Sequence, residues 1–259
     1  MAAQASVNLK SKIQNPRSKI FPWHWLPAIT LGLLALIGVD IALSLLFGFS
    51  IGILQHFPVN LDRINRLIEG DSITVNFVFY TISRLLGLAI ILAYVRRRGV
   101  SLRRFGFKSF NVIRAAGLIL AASALLLVMT GIALAVVNSL LPGLNLEQEQ
   151  DIVFTAAQTP LEVVLSFISL VIIAPLAEET IFRGFMLPAL AARFGIVIAT
   201  LVTSTLFGAI HWQINVAIVT GIMGILLAWL YYKTRSLWPA ILFHSLKNLV
   251  AFILIFIAT

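Results

Sequence analysis

Residues 177–185, AEETIFRGF, set two adjacent glutamates and an arginine directly after the apolar run LSFISLVIIAPLA. On a helix, Glu178 and Glu179 point about 100° apart. Arg183 follows Glu179 by four residues, the spacing at which a carboxylate and a basic group meet on one helix face. Glu179 is therefore predicted to pair with Arg183, which limits the cost of burying both charges. Glu178 is left without a local partner and can face a cavity, where a carboxylate can trade protons with a bound water. Further along, FGAIH sets Phe207 one turn before His211, and HSLKN sets His244 and Asn248 four apart on one helix face. His24 and His56 lie at the ends of apolar segments and read as solvated. A single histidine in an apolar helix more often satisfies an interhelical hydrogen bond than performs chemistry. A glutamate, two histidines and an asparagine on three apolar segments are a different matter. Such groups cost on the order of 3 kcal/mol each at a bilayer centre unless a wet cavity takes them in.

The elements that must position these residues are membrane helices. Of 259 residues, 60% are hydrophobic and 11% are charged, against about 25% charged in soluble domains. A soluble chain so composed could not cover itself with polar surface. The predicted fold class is all-α, a polytopic transmembrane helical bundle. The absence of cysteine removes disulfides, thiolate chemistry and cysteine metal ligands. The net charge of +9 does not point to nucleic acid. Its basic residues flank the apolar runs, as topology signals and contacts with anionic lipid do.

Crossing roughly 30 Å of hydrocarbon takes about 20 helical residues. Seven spans are predicted, at 26–48, 73–95, 112–138, 162–187, 196–212, 216–232 and 238–258. Residues 1–25 read as a basic cytosolic tail without the apolar core and cleavage site of a secretory signal. Residues 26–160 hold the first three spans, and 161–259 hold the polar positions above. Lys10, Lys12, Arg17 and Lys19 in the tail, RRRGVSLRRFGFK after the second span, and Lys233 with Arg235 after the sixth belong in the cytosol. The mixed stretch 49–71 and the acidic NLEQEQD at 145–151 belong outside, so the N-terminus is in and the C-terminus out. Asp40 and Arg84 fall at similar depths, roughly 20 Å from the cytosolic ends of their spans. They read as a structural ion pair between helices, with a catalytic role as the alternative.

Counted from a connection near Arg193, Glu178 and His211 lie roughly 21 and 27 Å into antiparallel helices. His244 starts nearer the cytosolic face. The mismatch shrinks if LPALAARF projects into the cytosol. That would leave the fifth and sixth helices short, with their turn near WQIN (212–215) inside the membrane. Non-helical backbone at that depth needs protein or a wet cavity around it.

In order and spacing, EETIFRG, FGAIH and HSLKN resemble the three motifs of the CPBP family, the CAAX-processing and bacteriocin-processing intramembrane endopeptidases. Those motifs are a double glutamate followed by three residues and arginine, a phenylalanine with histidine four later, and a histidine with asparagine or aspartate four later. SLWPAILFHSLKN also resembles the last motif with its usual lead-in. The resemblance covers about residues 160–255 and implies that 161–259 form a catalytic core. It implies an intramembrane endopeptidase of the bacterial inner membrane, acting on membrane-associated or prenylated CAAX-type proteins or on leader peptides.

The residues support the matching mechanism. Glu178 would be the general base and then the acid, and His211 would hold and polarise the same water. His244 and Asn248 would donate to the tetrahedral oxyanion, a contribution of roughly 3–4 kcal/mol. Glu179 and Arg183 would orient these groups, and Phe207 would pack among them. No cofactor is needed. In the competing version Glu178, His211 and His244 hold a zinc ion with one position open for water. Two further readings stand beside the peptidase. One is a non-catalytic membrane scaffold or bacteriocin-immunity-like protein that keeps the fold. The other is a proton-linked carrier, ranked last because no inverted repeat or paired half-helices are evident.

Overall fold

The structure, a computed structural model of the chain, describes residues 23–54, 56, 73–144, 146, 157 and 159–256. Among the described residues seven helices follow one another: α1 Trp25–Leu54, α2 Ile73–Arg97, α3 Val112–Leu140, α4 Pro160–Phe194, α5 Ile196–Ala209, α6 Ile214–Thr234 and α7 Trp238–Phe256. A single helical turn, Leu102–Phe105, sits between α2 and α3. There is no strand among the described residues. Six of the seven helices are long and apolar enough to cross a bilayer. The exception, α5, has 14 residues, roughly 21 Å of helix. Large apolar side chains such as Leu45, Ile113 and Leu127 point outward. In water such a surface would be a liability, whereas lipid tails accept it. The chain is an integral membrane protein, a polytopic all-α bundle.

The predicted spans coincide with these helices, with two differences. LPALAARF is not a loose connection but the final turns of α4, which ends at Phe194 before Gly195. Of the two helices expected to be short, only α5 is, because α6 runs 21 residues from Ile214 to Thr234. The basic positions Lys10, Lys12, Arg17 and Lys19 lie outside the described residues, as does nearly all of 55–72 and of the acidic stretch 145–151.

Helix α4 carries the site, and its prolines shape it. Pro160 starts it at the position where a missing N–H costs nothing, behind a Thr159–Glu162 capping box. Pro175 and Pro188 lie in its interior, where proline clashes with the preceding turn and removes a hydrogen bond. Each is preceded by a wider π-helical turn, Ile168–Ile173 and Thr180–Met186. These turns take up the misfit without ending the helix.

One end of the bundle gathers the basic connections. Trp23, just before α1, donates from its indole to the Phe185 carbonyl of α4 and packs against Tyr94 and Phe105. Phe105 anchors the arginine-rich α2–α3 connection in the core. The α6–α7 connection docks onto it: Leu237 N–H donates to Gly106 O at 2.9 Å, and the Ser236 hydroxyl donates to Lys108 O at 2.7 Å. Arg96, Arg97, Arg98, Arg103 and Arg104 stay exposed around this end.

Candidate active site

A cavity of about 700 Å³ opens among α1, α2, α4, the α5–α6 turn and α7. Glu178 lines it from the middle of α4 and is 8% exposed. Among the described residues no basic group lies within ion-pair distance of its carboxylate.

His211 reaches the cavity because α5 is short. The helix ends at Ala209, and a turn through His211 and Trp212 leads into α6. The backbone of Trp212 is left-handed, with φ 61°, an uncommon state for a bulky residue. His211 Nδ1 lies 2.8 Å from Phe207 O, a carbonyl in the last turn of α5. A carbonyl only accepts, so Nδ1 carries the hydrogen and Nε2 of the neutral ring keeps its lone pair. The side chain thus satisfies a helix-end carbonyl while presenting a basic nitrogen elsewhere.

Glu179 turns away from Glu178 and sits fully buried. Its Oε1 accepts from Arg183 Nη1 at 2.9 Å and from His244 Nδ1 at 3.1 Å. Arg183 also donates from Nη2 to Gly224 O on α6 at 3.1 Å. Since the carboxylate accepts, His244 donates from Nδ1, and it can donate from Nε2 as well only as an imidazolium.

Phe207 is the hub of this packing. Its ring meets His211 edge to face at 5.4 Å and His244 at 5.7 Å, and the Arg183 guanidinium lies 4.4 Å from its centre. One aromatic face thereby sets the orientation of both imidazoles and stabilises a buried cation.

Asn248 donates from Nδ2 to Leu170 O at 2.8 Å. The cause lies in α4. Ala174 N–H bonds Ser169 O in the wide turn. The next donor in that pattern would be residue 175, a proline without an N–H. The Leu170 carbonyl thus lacks that donor, and the amide of Asn248 fills the place. One of the two Asn248 amide hydrogens is committed to this structural bond.

Asp40 and Arg84 form the interhelical ion pair expected of them, and the pair faces the cavity. Their ion pair, at 2.5 Å, lines the same cavity as Glu178. The Ser83 hydroxyl donates to Asp40 Oδ1, Arg84 Nη1 donates to Leu36 O at 2.9 Å, and the guanidinium lies 4.9 Å from the Tyr80 ring centre. Sequence reasoning also passed over Lys247 and Trp212, which line the cavity. Lys247 stands inside the quoted HSLKN, and its signal was a lysine at the centre of an apolar span.

The zinc alternative can be tested on geometry. Both histidines leave Nε2 open with Nδ1 anchored, an arrangement that suits metal ligation. Among the described residues, however, no three histidine, cysteine, aspartate or glutamate side chains converge on one point. Glu178, His211 and His244 do not close around an ion as they are placed, and no chemical step is derived through one.

The family model for type II CAAX prenyl endopeptidases, Rce1-like, matches residues 160–250. A protein of Bacillus subtilis (strain 168) named "Putative membrane peptidase YdiL" is 30% identical over 106 residues, 41% of this chain and 42% of that protein. The match spans less than half the length of that relative. No solved structure matches the chain. The segment matched by the family model runs from the start of α4 into α7 and includes Glu178, His211, His244 and Asn248. Over residues 160–250 the chain is therefore similar to type II CAAX prenyl endopeptidases, in line with the resemblance carried by EETIFRG, FGAIH and HSLKN.

Proposed function

We propose that this protein is an intramembrane endopeptidase that hydrolyses a peptide bond with a water activated by Glu178 and His211. The observation that carries it is that Glu178, His211, His244 and Asn248, from two helices and a turn, all line one cavity. A cavity of that volume suits a short peptide segment. A water that donates one hydrogen to Glu178 and the other to His211 Nε2 keeps an oxygen lone pair for the substrate carbonyl carbon. Glu178 takes the proton as the C–O bond forms, and the carbonyl electron pair moves onto oxygen. When the tetrahedral centre collapses, the C–N bond breaks and Glu178 returns the proton to the departing amine. The oxyanion forms toward α7, where an imidazolium form of His244 and the second amide hydrogen of Asn248 can donate. Glu179 and Arg183 hold His244 in register.

The chemistry needs no cofactor. The partners are a peptide or protein substrate at the membrane and the bilayer itself, including anionic lipid at the arginine-rich end. That end faces the cytosol by the positive-inside rule, which puts the N-terminus inside. The organism of the Bacillus subtilis relative supports a bacterial plasma membrane. Residues 161–259 act as the catalytic core and 26–160 as the helices that close the cavity.

The substrate class is tested by incubating the purified protein with quenched peptides of three kinds: farnesylated CAAX peptides, the same peptides without the lipid, and bacteriocin leader sequences. Each is run with and without chelator. Cleavage confined to the farnesylated set and indifferent to chelator is the expected result. Loss with chelator and recovery with zinc would overturn the metal-free mechanism, and preference for leader peptides would overturn the CAAX assignment.

A further inference from the structure

Lys247 is the tenth of the 19 residues of α7, so its Cα is roughly 14 Å along the helix from either end. A lysine side chain cannot span that distance to reach an interface. The residue lines the cavity beside His244 and Asn248, which sit three residues before and one after it on α7. Among the described residues it has no ion-pair or hydrogen-bond partner. An ammonium at mid-membrane without a partner is expensive, and such groups are kept where a function uses them.

The charges around the cavity show what that function is. Asp40 is matched by Arg84, and Glu179 by Arg183. Two charged groups on the cavity wall remain, Glu178 and Lys247. The other donors on this face of α7 are each partly committed, since His244 Nδ1 is held by Glu179 and one Asn248 hydrogen by Leu170 O. Lys247 offers three hydrogens, none of them committed.

We infer that Lys247 is a further catalytic residue whose ammonium stabilises the oxyanion of the tetrahedral intermediate. This rests on the peptidase reading. Before attack, the cavity holds the Glu178 carboxylate opposite Lys247. As water adds, its proton goes to Glu178 and the carbonyl electron pair becomes an oxyanion. The one negative charge moves across the cavity from Glu178 to the substrate oxygen, and the one positive charge of Lys247 faces it throughout. Collapse of the intermediate re-forms the carbonyl and breaks the C–N bond. The amine takes the proton from Glu178, and the negative charge returns to the Glu178 carboxylate. Lys247 and the migrating negative charge stay paired through every step.

The test uses the full-length protein in detergent, as wild type, Lys247→Met and Lys247→Arg. The probes are an N-acetylated, C-terminally amidated apolar hexapeptide and its phosphinate analogue, whose tetrahedral anion replaces the scissile amide. Binding is read by calorimetry and cleavage by mass spectrometry. Lys247→Met should weaken phosphinate binding at least about tenfold and leave the amide peptide unchanged. It should lower kcat about a hundredfold with KM held within about threefold. Lys247→Arg should restore much of both, which a mere loss of packing would not allow. Phosphinate binding indifferent to Lys247 would overturn the assignment even if the wild type cleaves peptides. So would an equal loss for the amide peptide. A defect confined to peptides with a free C-terminal carboxylate would also overturn it and make Lys247 an anchor for that group. Lys247-dependent phosphinate binding in a wild type that cleaves nothing would count against the peptidase reading, with the anion site left standing.

Discussion

His244 Nδ1 lies 3.1 Å from Glu179 Oε1, the same oxygen that accepts from Arg183 at 2.9 Å. The buried carboxylate therefore ties two turns of α4 to α7, and it fixes which nitrogen of His244 carries a hydrogen. Removing the charge should do two things at once.

In Glu179→Gln, Arg183 is left as a buried cation without its counter-ion, and His244 loses its acceptor. Breaking one side of a buried pair costs about 3–5 kcal/mol. Unfolding in detergent should show a loss of that order for Glu179→Gln and for Arg183→Met. The double variant should lose less than the sum of the two by about 1–3 kcal/mol. Strict additivity would mean that the pair does not act as a unit.

Asn248 and Pro175 should be coupled through a group that neither contains. Asn248→Leu strands the Leu170 carbonyl, a loss of about 1–3 kcal/mol. Pro175→Ala gives α4 back an N–H at the position that could serve that carbonyl. In the Pro175→Ala background Asn248→Leu should therefore cost clearly less, as measured by the same unfolding titration.

The fit between α5 and α6 holds the His211 turn in place. A Cβ at Gly208 would come 2.5 Å from Ala217 O. Backbone cannot yield as a flexible side chain does, so Gly208→Ala should push the helices apart and cost about 1–3 kcal/mol. Cleavage should fall as His211 shifts. Gly117→Ala on α3, where a Cβ meets nothing within 4 Å, is the control and should be neutral or stabilising by about 0.5–1 kcal/mol.

Asp40 and Arg84 line the cavity as a pair, so each alone is worse than neither. Asp40→Asn leaves the partly buried guanidinium without its ion-pair partner. Adding Arg84→Gln should recover part of the lost stability, because both charges are then gone. A thermal unfolding series of the two single variants and the double variant reads this directly.

Much of this molecule was legible in its sequence. Seven apolar runs mark seven helices, because in lipid only a helix satisfies its own backbone over such a length. The Glu179–Arg183 spacing lies within one helix, where geometry follows from residue count alone. What was hidden depends on how helices meet. The bond from His244 to Glu179 joins positions 65 residues apart, and no local spacing encodes it. Asn248 looked like a donor for chemistry. Its bond to Leu170 follows from the missing N–H of Pro175, which is visible in the sequence only once the partner helix is known. For Asp40 and Arg84 the depth could be counted but the cavity they face could not. Trp212, 82% exposed, adopts a left-handed backbone that no pattern of residue types announced.

The central claim is that Glu178 activates the water. Its most direct measurement compares wild type and Glu178→Gln, purified in the same detergent, on the same quenched peptide. The glutamine keeps size and shape and removes only the ability to take a proton. In Glu178→Gln, kcat/KM should fall by at least about a hundredfold while the unfolding transition stays where it was. A Glu178→Gln protein that is equally stable and cleaves within about threefold of wild type would contradict it.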